Sequence, residues 1–146
     1  MENINTMKIG ILGTLGVSGS IIANLLGGWD MALRTLVLFM AVDYITGLIV
    51  AGVFKKSHKS ESGALESEIG WKCLSKKGVT LLIVLVSVQL DLITGTEVIR
   101  DAVIIAYSIN EAISIIENVG LMGMYIPPVI VKAIELLKNK EGENDD

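Results

Sequence analysis

The stretch Asn110-Glu111-Ala112-Ile113-Ser114-Ile115-Ile116-Glu117-Asn118 decides the fold of this 146-residue chain. It places two carboxylates and two amides inside a segment that is otherwise apolar enough to lie in a membrane. An ionisable side chain at the centre of a transmembrane helix costs about 2.5 to 3.5 kcal/mol, so such residues usually face a bundle interior or water. At helical spacing the polar side chains form one stripe, which suits the wall of an aqueous pore. The stripe contains Tyr107, Asn110, Glu111, Ser114, Glu117 and Asn118.

The composition indicates a membrane protein without a catalytic centre. Hydrophobic residues make up 51% of the chain and charged residues 19%, against about 25% charged in soluble domains. His58 and Cys73 are the only residues of their types, so we expect no metal site, no catalytic residue and no cofactor. The net charge of −4 argues against a nucleic-acid partner.

Four segments have the length and apolar character of transmembrane helices, close to the roughly 20 residues that cross a bilayer. They cover residues 9–26, 35–54, 78–96 and 101–124. The first is short and rich in glycine, so three spans are the alternative. It also resembles a secretory signal peptide, but Gly27-Gly28-Trp29-Asp30 lacks a small-x-small cleavage site, which favours an uncleaved span. The sequence therefore predicts an all-α, polytopic membrane fold, with a transmembrane domain over residues 1–126.

The distribution of lysine predicts the orientation of the spans. The loop over residues 55–77 carries six of the twelve Lys and Arg residues, and we expect it to lie in the cytoplasm with both termini. With three spans the N-terminus would lie outside. For either number of spans, we expect residues 127–140 to form an amphipathic helix on the inner membrane surface. We expect residues 141–146 to form a disordered acidic tail. The basic residues expected at the membrane surface are Lys55, Lys56, Lys72, Lys76 and Lys77.

Small residues in the first span favour close helix packing. The spacing G-x-x-G-x-x-G differs from the dinucleotide-binding pattern G-x-G-x-x-G, so we do not expect a nucleotide. Asp43 and Asp91 lie in the second and third spans, where each carboxylate could pair with a neighbouring helix or act as a pore or gating group. The expected packing residues are Gly10, Gly13, Gly16, Gly19 and Ser20, together with Gly47 beside Asp43.

These motifs together resemble the toxin-secretion and phage-lysis holins of Gram-positive hosts and their prophages. The resemblance runs from the second span to the C-terminal helix. It is carried by Asp43-Tyr44-Ile45-Thr46-Gly47, by Ser67-x-x-Gly70-Trp71-Lys72 before Lys76-Lys77, and by Asn110-Glu111-x-x-Ser114-Ile115-x-Glu117-Asn118 before Gly123 and Pro127. Cys73 stands where the family pattern has glycine.

The resemblance implies a small protein that oligomerises with itself in the lipid bilayer of the bacterial host's cytoplasmic membrane and forms lesions there. Such lesions release a cell-wall hydrolase (an endolysin) or an exported toxin, without catalysis and at a set time. The alternatives are an antiholin-type regulator and a small ion channel or transporter subunit. Met1 and Met7 offer two possible starts for the chain.

Overall fold

The computed structural model describes residues 2–58 and 67–142, with side chains described for residues 6–58 and 67–136. The helices are α1 (Glu2–Leu25), α2 (Met31–Ile49), α3 (Ser67–Thr94), α4 (Ile99–Leu121) and α5 (Pro128–Gly142). A π-helical turn, Val50–Phe54, continues α2 to the end of the predicted second span. Four of the helical segments are long and apolar enough to cross a membrane, so the predicted all-α, four-span fold with an additional C-terminal helix is confirmed.

Local sequence explains where the helices begin and end. The Asp30 side chain accepts a hydrogen bond from the backbone N–H of Leu33, which caps the N-terminus of α2. Gly27 and Gly123 follow the ends of α1 and α4 with positive φ, and each is part of a Schellman-type pair of backbone hydrogen bonds. These turns fix the points at which the chain reverses direction.

Helices α2, α3 and α4 form a packed bundle, in which α4 packs most extensively against α2 and then against α3. The buried residues of α2 and α3 follow each other at spacings of three and four, and α4 buries Ile104, Glu111 and Asn118 at spacings of seven. An apolar cluster lies in the half of the bundle near the α1–α2 turn, and buried polar residues lie on both sides of it along the bundle axis. The apolar cluster contains Leu26, Leu33, Leu36, Met40, Val84 and Ile104.

Helix α1 stands apart from this bundle. None of the apolar window within Thr6–Leu25 is buried. Among the described residues, a Cβ atom added at any of the four glycines of α1 would meet no atom of another helix within 4 Å, so the predicted glycine face has no packing partner there. Helix–helix packing through Gly10, Gly13, Gly16, Gly19 and Ser20 therefore stays a prediction about contacts with another molecule.

The loop predicted over residues 55–77 is shorter in the structure, because α3 begins at Ser67. The helix continues through this basic segment because residues 67–77 contain no proline and keep a spacing that buries Lys77. Residues 59–66 lie outside the described part. Helix α5 extends to Gly142, so only residues 143–146 of the predicted acidic tail lie beyond it, outside the described residues.

Candidate functional site

A buried ionic cluster joins the three helices of the bundle. The Lys77 ammonium of α3 donates to Asp43 Oδ2 of α2 at 2.8 Å and also to Glu111 Oε2 of α4. All three residues are buried, with 9%, 6% and 7% of their surfaces exposed in the order Lys77, Asp43, Glu111. The cluster therefore contains two carboxylates and one ammonium.

An amide extends this cluster on the side of α2. Asn118 Nδ2 donates to Asp43 Oδ1 at 3.0 Å, and it lies 3.0 Å from Thr46 Oγ1. Thr46 donates in turn to the Val42 carbonyl at 2.9 Å. Gly47 lies alongside, where a Cβ atom would come within 3.7 Å of Asn118 Nδ2. Both oxygens of the Asp43 carboxylate are thus hydrogen-bonded.

Electrostatics explains why these groups lie together inside the bundle. A charge in a low-dielectric environment is tolerated only when it is paired and hydrogen-bonded, and removing one partner of a buried ion pair typically costs about 3 to 5 kcal/mol. Two carboxylates beside one ammonium leave a formal excess of one negative charge when all three are ionised. The cluster therefore links α2, α3 and α4 through charge rather than through apolar packing.

A polar cavity of about 620 Å³ opens from this cluster between α3 and α4. Asp43, Lys77 and Glu111 form its charged floor. Hydroxyl and amide groups surround the floor, and two further lysines lie on the side of the cavity toward the start of α3. The remaining lining residues are Ile69, Lys72, Cys73, Lys76, Thr80, Tyr107, Asn110 and Ser114.

A second ionic cluster lies at the opposite end of the bundle, around Arg100. Its guanidinium donates to the Leu26 carbonyl through Nε at 2.6 Å and to Asp30 Oδ2 through Nη1 at 2.6 Å. A Cβ atom at Gly27 would lie 2.6 Å from Arg100 Nε, so only glycine leaves room for this contact. Arg100 therefore ties the turn after α1 to the first turn of α4.

The carboxylate of Asp91 completes the same end of the bundle. It accepts hydrogen bonds from the backbone N–H groups of Ile99 and Arg100, at 3.0 and 2.8 Å, and from the Thr96 hydroxyl at 2.6 Å. These contacts satisfy N–H groups that the first turn of α4 leaves unpaired. The geometry gives Asp91 a capping role far from Asp43, and its predicted part in a pore is untested.

The Asp30 carboxylate lies outside the spans, and its titration reflects this cluster. The hydrogen bond from the Arg100 guanidinium holds the pKa of the Asp30 carboxyl below its usual value, and the hydrogen bond from the Leu33 N–H acts in the same direction. Partial burial opposes both effects. Because 46% of the Asp30 side chain is exposed, solvent weakens this ion pair.

The polar stripe predicted along α4 divides into two sets. Glu111 and Asn118 are buried against α2 and α3, whereas Asn110 and Glu117 are exposed and Ser114 is half-buried in the cavity lining. The seven-residue spacing within each set keeps its members on one side of the helix. The stripe is thus partly a bundle interior, and its role in a pore or gate stays a prediction.

Lys77 is a correction to the sequence-based expectation. We expected it at the membrane surface with Lys55, Lys56, Lys72 and Lys76, but it is buried in the ionic cluster because two carboxylates there need a cation. The other four lysines are exposed. The sequence does contain a pattern that places Lys77 on the buried side of α3. Spacings of three and four, which keep residues on one face of a helix, connect Lys77, Thr80, Val84, Ser87 and Asp91. The contacts of Arg100 with Leu26 and Asp30 were also not predicted, because its partners lie far away in the sequence.

The sequence of the chain is similar to those of known proteins. The defining sequence pattern of the bacteriophage holin family matches residues 20–139, which include all of the bundle. The chain belongs to the bacteriophage holin family. A probable holin of Bacillus phage phi105 is 32% identical to it over 105 residues, which cover 71% of this chain and 70% of the phage protein. No solved structure matches the chain.

Bacterial relatives of this holin-family protein cover almost its whole length. An uncharacterized protein of Listeria monocytogenes is 40% identical over 141 residues, covering 96% of this chain and 92% of the relative. An uncharacterized 14.9 kDa protein of Clostridium perfringens is 39% identical over 144 residues, covering 97% and 100%. The comparisons and the four apolar helices identify a multi-pass membrane protein with a holin-type role.

Proposed function

We propose that this protein assembles with copies of itself into lesions in the cytoplasmic membrane of a bacterial host. The lesions let a cell-wall hydrolase or an exported toxin leave the cell, and the chain itself carries out no catalysis. The observation that carries the proposal is the polar cavity above the Lys77–Asp43–Glu111 cluster, within the spanning part of the bundle. Intramembrane charges that face a hydrophilic cavity are typical of ion and solute pathways.

Helix α1 supports the homo-oligomeric part of the proposal. In lipid, helices associate through close van der Waals contact, which small residues allow. In the part of the chain that the structure describes, no other helix packs on the glycines of α1, so this face is available to the α1 helix of a neighbouring copy. The turn held by Arg100 keeps α1 attached to the bundle while α1 packs on a neighbour.

The proposed orientation places the N-terminus, the connection between α2 and α3, and α5 in the cytoplasm. It is supported by the lysines that follow α2 and begin α3, since loops retained in the cytoplasm are enriched in Lys and Arg. Single cysteines at Ser60 and Asn144, in a Cys73→Ser background, would test it with an impermeant thiol reagent. We expect no labelling of intact cells, and efficient labelling before lysis would contradict the orientation.

The lesion proposal is tested by expressing the chain alone in bacterial cells. A holin should arrest growth abruptly after a delay and admit a membrane-impermeant dye, whereas an antiholin-type regulator should do neither. A channel subunit would dissipate ion gradients without admitting the dye. Crosslinking in the same membranes should give a ladder of oligomers. Gly16→Leu should shorten that ladder, and Val17→Leu, which changes an already large exposed side chain on α1, should leave it intact.

A further inference from the structure

The mouth of the polar cavity carries a cationic surface that the proposed lesion does not use. We define the mouth as Ile69, Lys72, Cys73 and Lys76, which line the cavity on the side toward the start of α3. We propose that this mouth binds the phosphate group of an anionic phospholipid through Lys72 and Lys76. The proposal goes beyond lesion formation and depends only on the placement of the spans in a bilayer.

The charges of the cavity favour an anion at its mouth and not at its floor. At the floor, the Lys77 ammonium is already shared by two carboxylates. Among the side chains described, those of residues 6–58 and 67–136, Lys76 forms no ion pair, and Lys72 pairs with Glu68 at 2.7 Å. Both side chains of that pair are largely exposed, at 66% and 77%, so the pair contributes little and can yield to a phosphate.

The depth of the mouth matches that of lipid headgroups. Asp43 and Glu111 each lie twelve residues after the first residue of their helices, about 18 Å along the axis. Lys72 lies five residues before Lys77 on α3, about 8 Å farther toward the other membrane surface. This position is near the far edge of a hydrocarbon core about 30 Å thick, where a lysine extends its ammonium into the headgroup layer.

Apolar residues around the mouth favour a lipid over a free phosphate ion. Ile69 lines the cavity itself. Trp71 and Leu74 do not line the cavity, but they lie at the same depth on α3 and are 70% and 46% exposed. Tryptophan is enriched at the level of the headgroups, with its ring against the acyl chains. These residues place the mouth at the depth of the headgroups, where a phospholipid can bring its phosphate to the lysines and an acyl chain to Ile69.

Cys73 supplies a probe within the mouth, because it is the only cysteine of the chain and is half-buried there. The full-length protein would be placed in phosphatidylcholine nanodiscs with and without phosphatidylglycerol, and the rate of Cys73 alkylation measured. We expect phosphatidylglycerol to slow alkylation at least fivefold. A Ser75→Cys variant in a Cys73→Ser background reports the effect of membrane charge alone, since Ser75 is exposed and outside the cavity.

Variants of the lysines show which charges protect Cys73 from alkylation in discs that contain phosphatidylglycerol. Lys72→Gln with Lys76→Gln should abolish it, and Lys72→Arg with Lys76→Arg should retain it. Lys55→Gln with Lys56→Gln is the matched control, because these exposed lysines follow α2 and do not line the cavity. Their replacement should leave the protection of Cys73 unchanged.

Three results would overturn the proposal. Equal slowing at Cys73 and at Ser75→Cys would indicate a diffuse effect of membrane charge. Loss of protection in the Lys55 and Lys56 control would assign the effect to the whole basic surface. Equal protection by soluble glycerol phosphate in phosphatidylcholine discs would show a free phosphate as the ligand. None of these results bears on lesion formation, which dye entry measures separately.

Discussion

Replacing Lys77 with methionine tests how far the bundle depends on its ionic cluster. The ammonium donates to Asp43 and Glu111, and all three residues are buried. Methionine matches the length of the aliphatic stem but leaves two carboxylates facing each other without a cation. Removing one partner of a buried ion pair typically costs about 3 to 5 kcal/mol. We therefore expect the free energy of unfolding in detergent micelles to fall by about that amount.

Two further variants make the result specific to charge. Lys76→Met changes the neighbouring, exposed lysine and should alter the free energy of unfolding by less than about 0.5 kcal/mol. Combining Lys77→Met with Asp43→Asn and Glu111→Gln removes every charge of the cluster, and should recover most of the lost stability because no unpaired charge remains buried. Denaturant unfolding followed by circular dichroism provides the measurement. Similar stabilities for Lys77→Met and Lys76→Met would refute this reasoning.

Three other perturbations follow from the hydrogen bonds at the two ends of the bundle. Gly27→Ala should lower the free energy of unfolding by about 2 kcal/mol or more, because the added Cβ atom would lie 2.6 Å from Arg100 Nε. Gly28 also has a positive φ, but a Cβ atom there would meet no such contact, so Gly28→Ala should cost only about 1 kcal/mol. Thermal melts of the two variants provide the comparison. The Asp30 pKa is lowered in the folded protein, so the contribution of Asp30 is complete above about pH 5 and is lost as the pH falls through its folded pKa. The free energy of unfolding would be measured against pH for the unmodified protein and for Asp30→Asn, which keeps an N-cap side chain. The two proteins should differ by under about 1 kcal/mol, and the difference should shrink below about pH 4. Asn118→Leu removes the amide that donates to α2 and should cost about 1 to 3 kcal/mol in the same unfolding assay, and an unchanged midpoint would show that this contact is dispensable.

The spans could be predicted from the sequence because their signal is strong and local. Long apolar segments bounded by charges and glycines have few alternatives, since only a helix satisfies its own backbone within lipid. The end of the second span at Phe54 and the C-terminal helix after Pro127 follow from the same local chemistry. The start of α3 at Ser67 could not be predicted, because nothing in a basic segment shows whether it continues as a helix beyond the membrane.

The ionic cluster was only half predicted, because its partners lie on three different helices. Asp43 and Glu111 were recognised as intramembrane carboxylates, but the cation between them was assigned to the membrane surface. A lysine at the boundary of a span fits a surface role and an ion-pair role equally well, and tertiary contacts decide between them. Lys77, Thr80 and Ser87 share one face of α3. This face is the buried one because a membrane helix can turn its more polar side toward the bundle and its apolar side toward lipid.

The central claim, that the cavity between α3 and α4 becomes part of the water-filled lesion, has one direct test. Ser114→Cys in a Cys73→Ser background places a thiol of similar size in the cavity lining. Leu38→Cys, on α2 at a position 60% exposed and outside the cavity, serves as the lipid-facing control. An impermeant thiol reagent should label Ser114→Cys from outside the cell only once dye entry begins, and should leave Leu38→Cys unlabelled. Dye entry without labelling of Ser114→Cys, or equal labelling at both positions, would contradict the account.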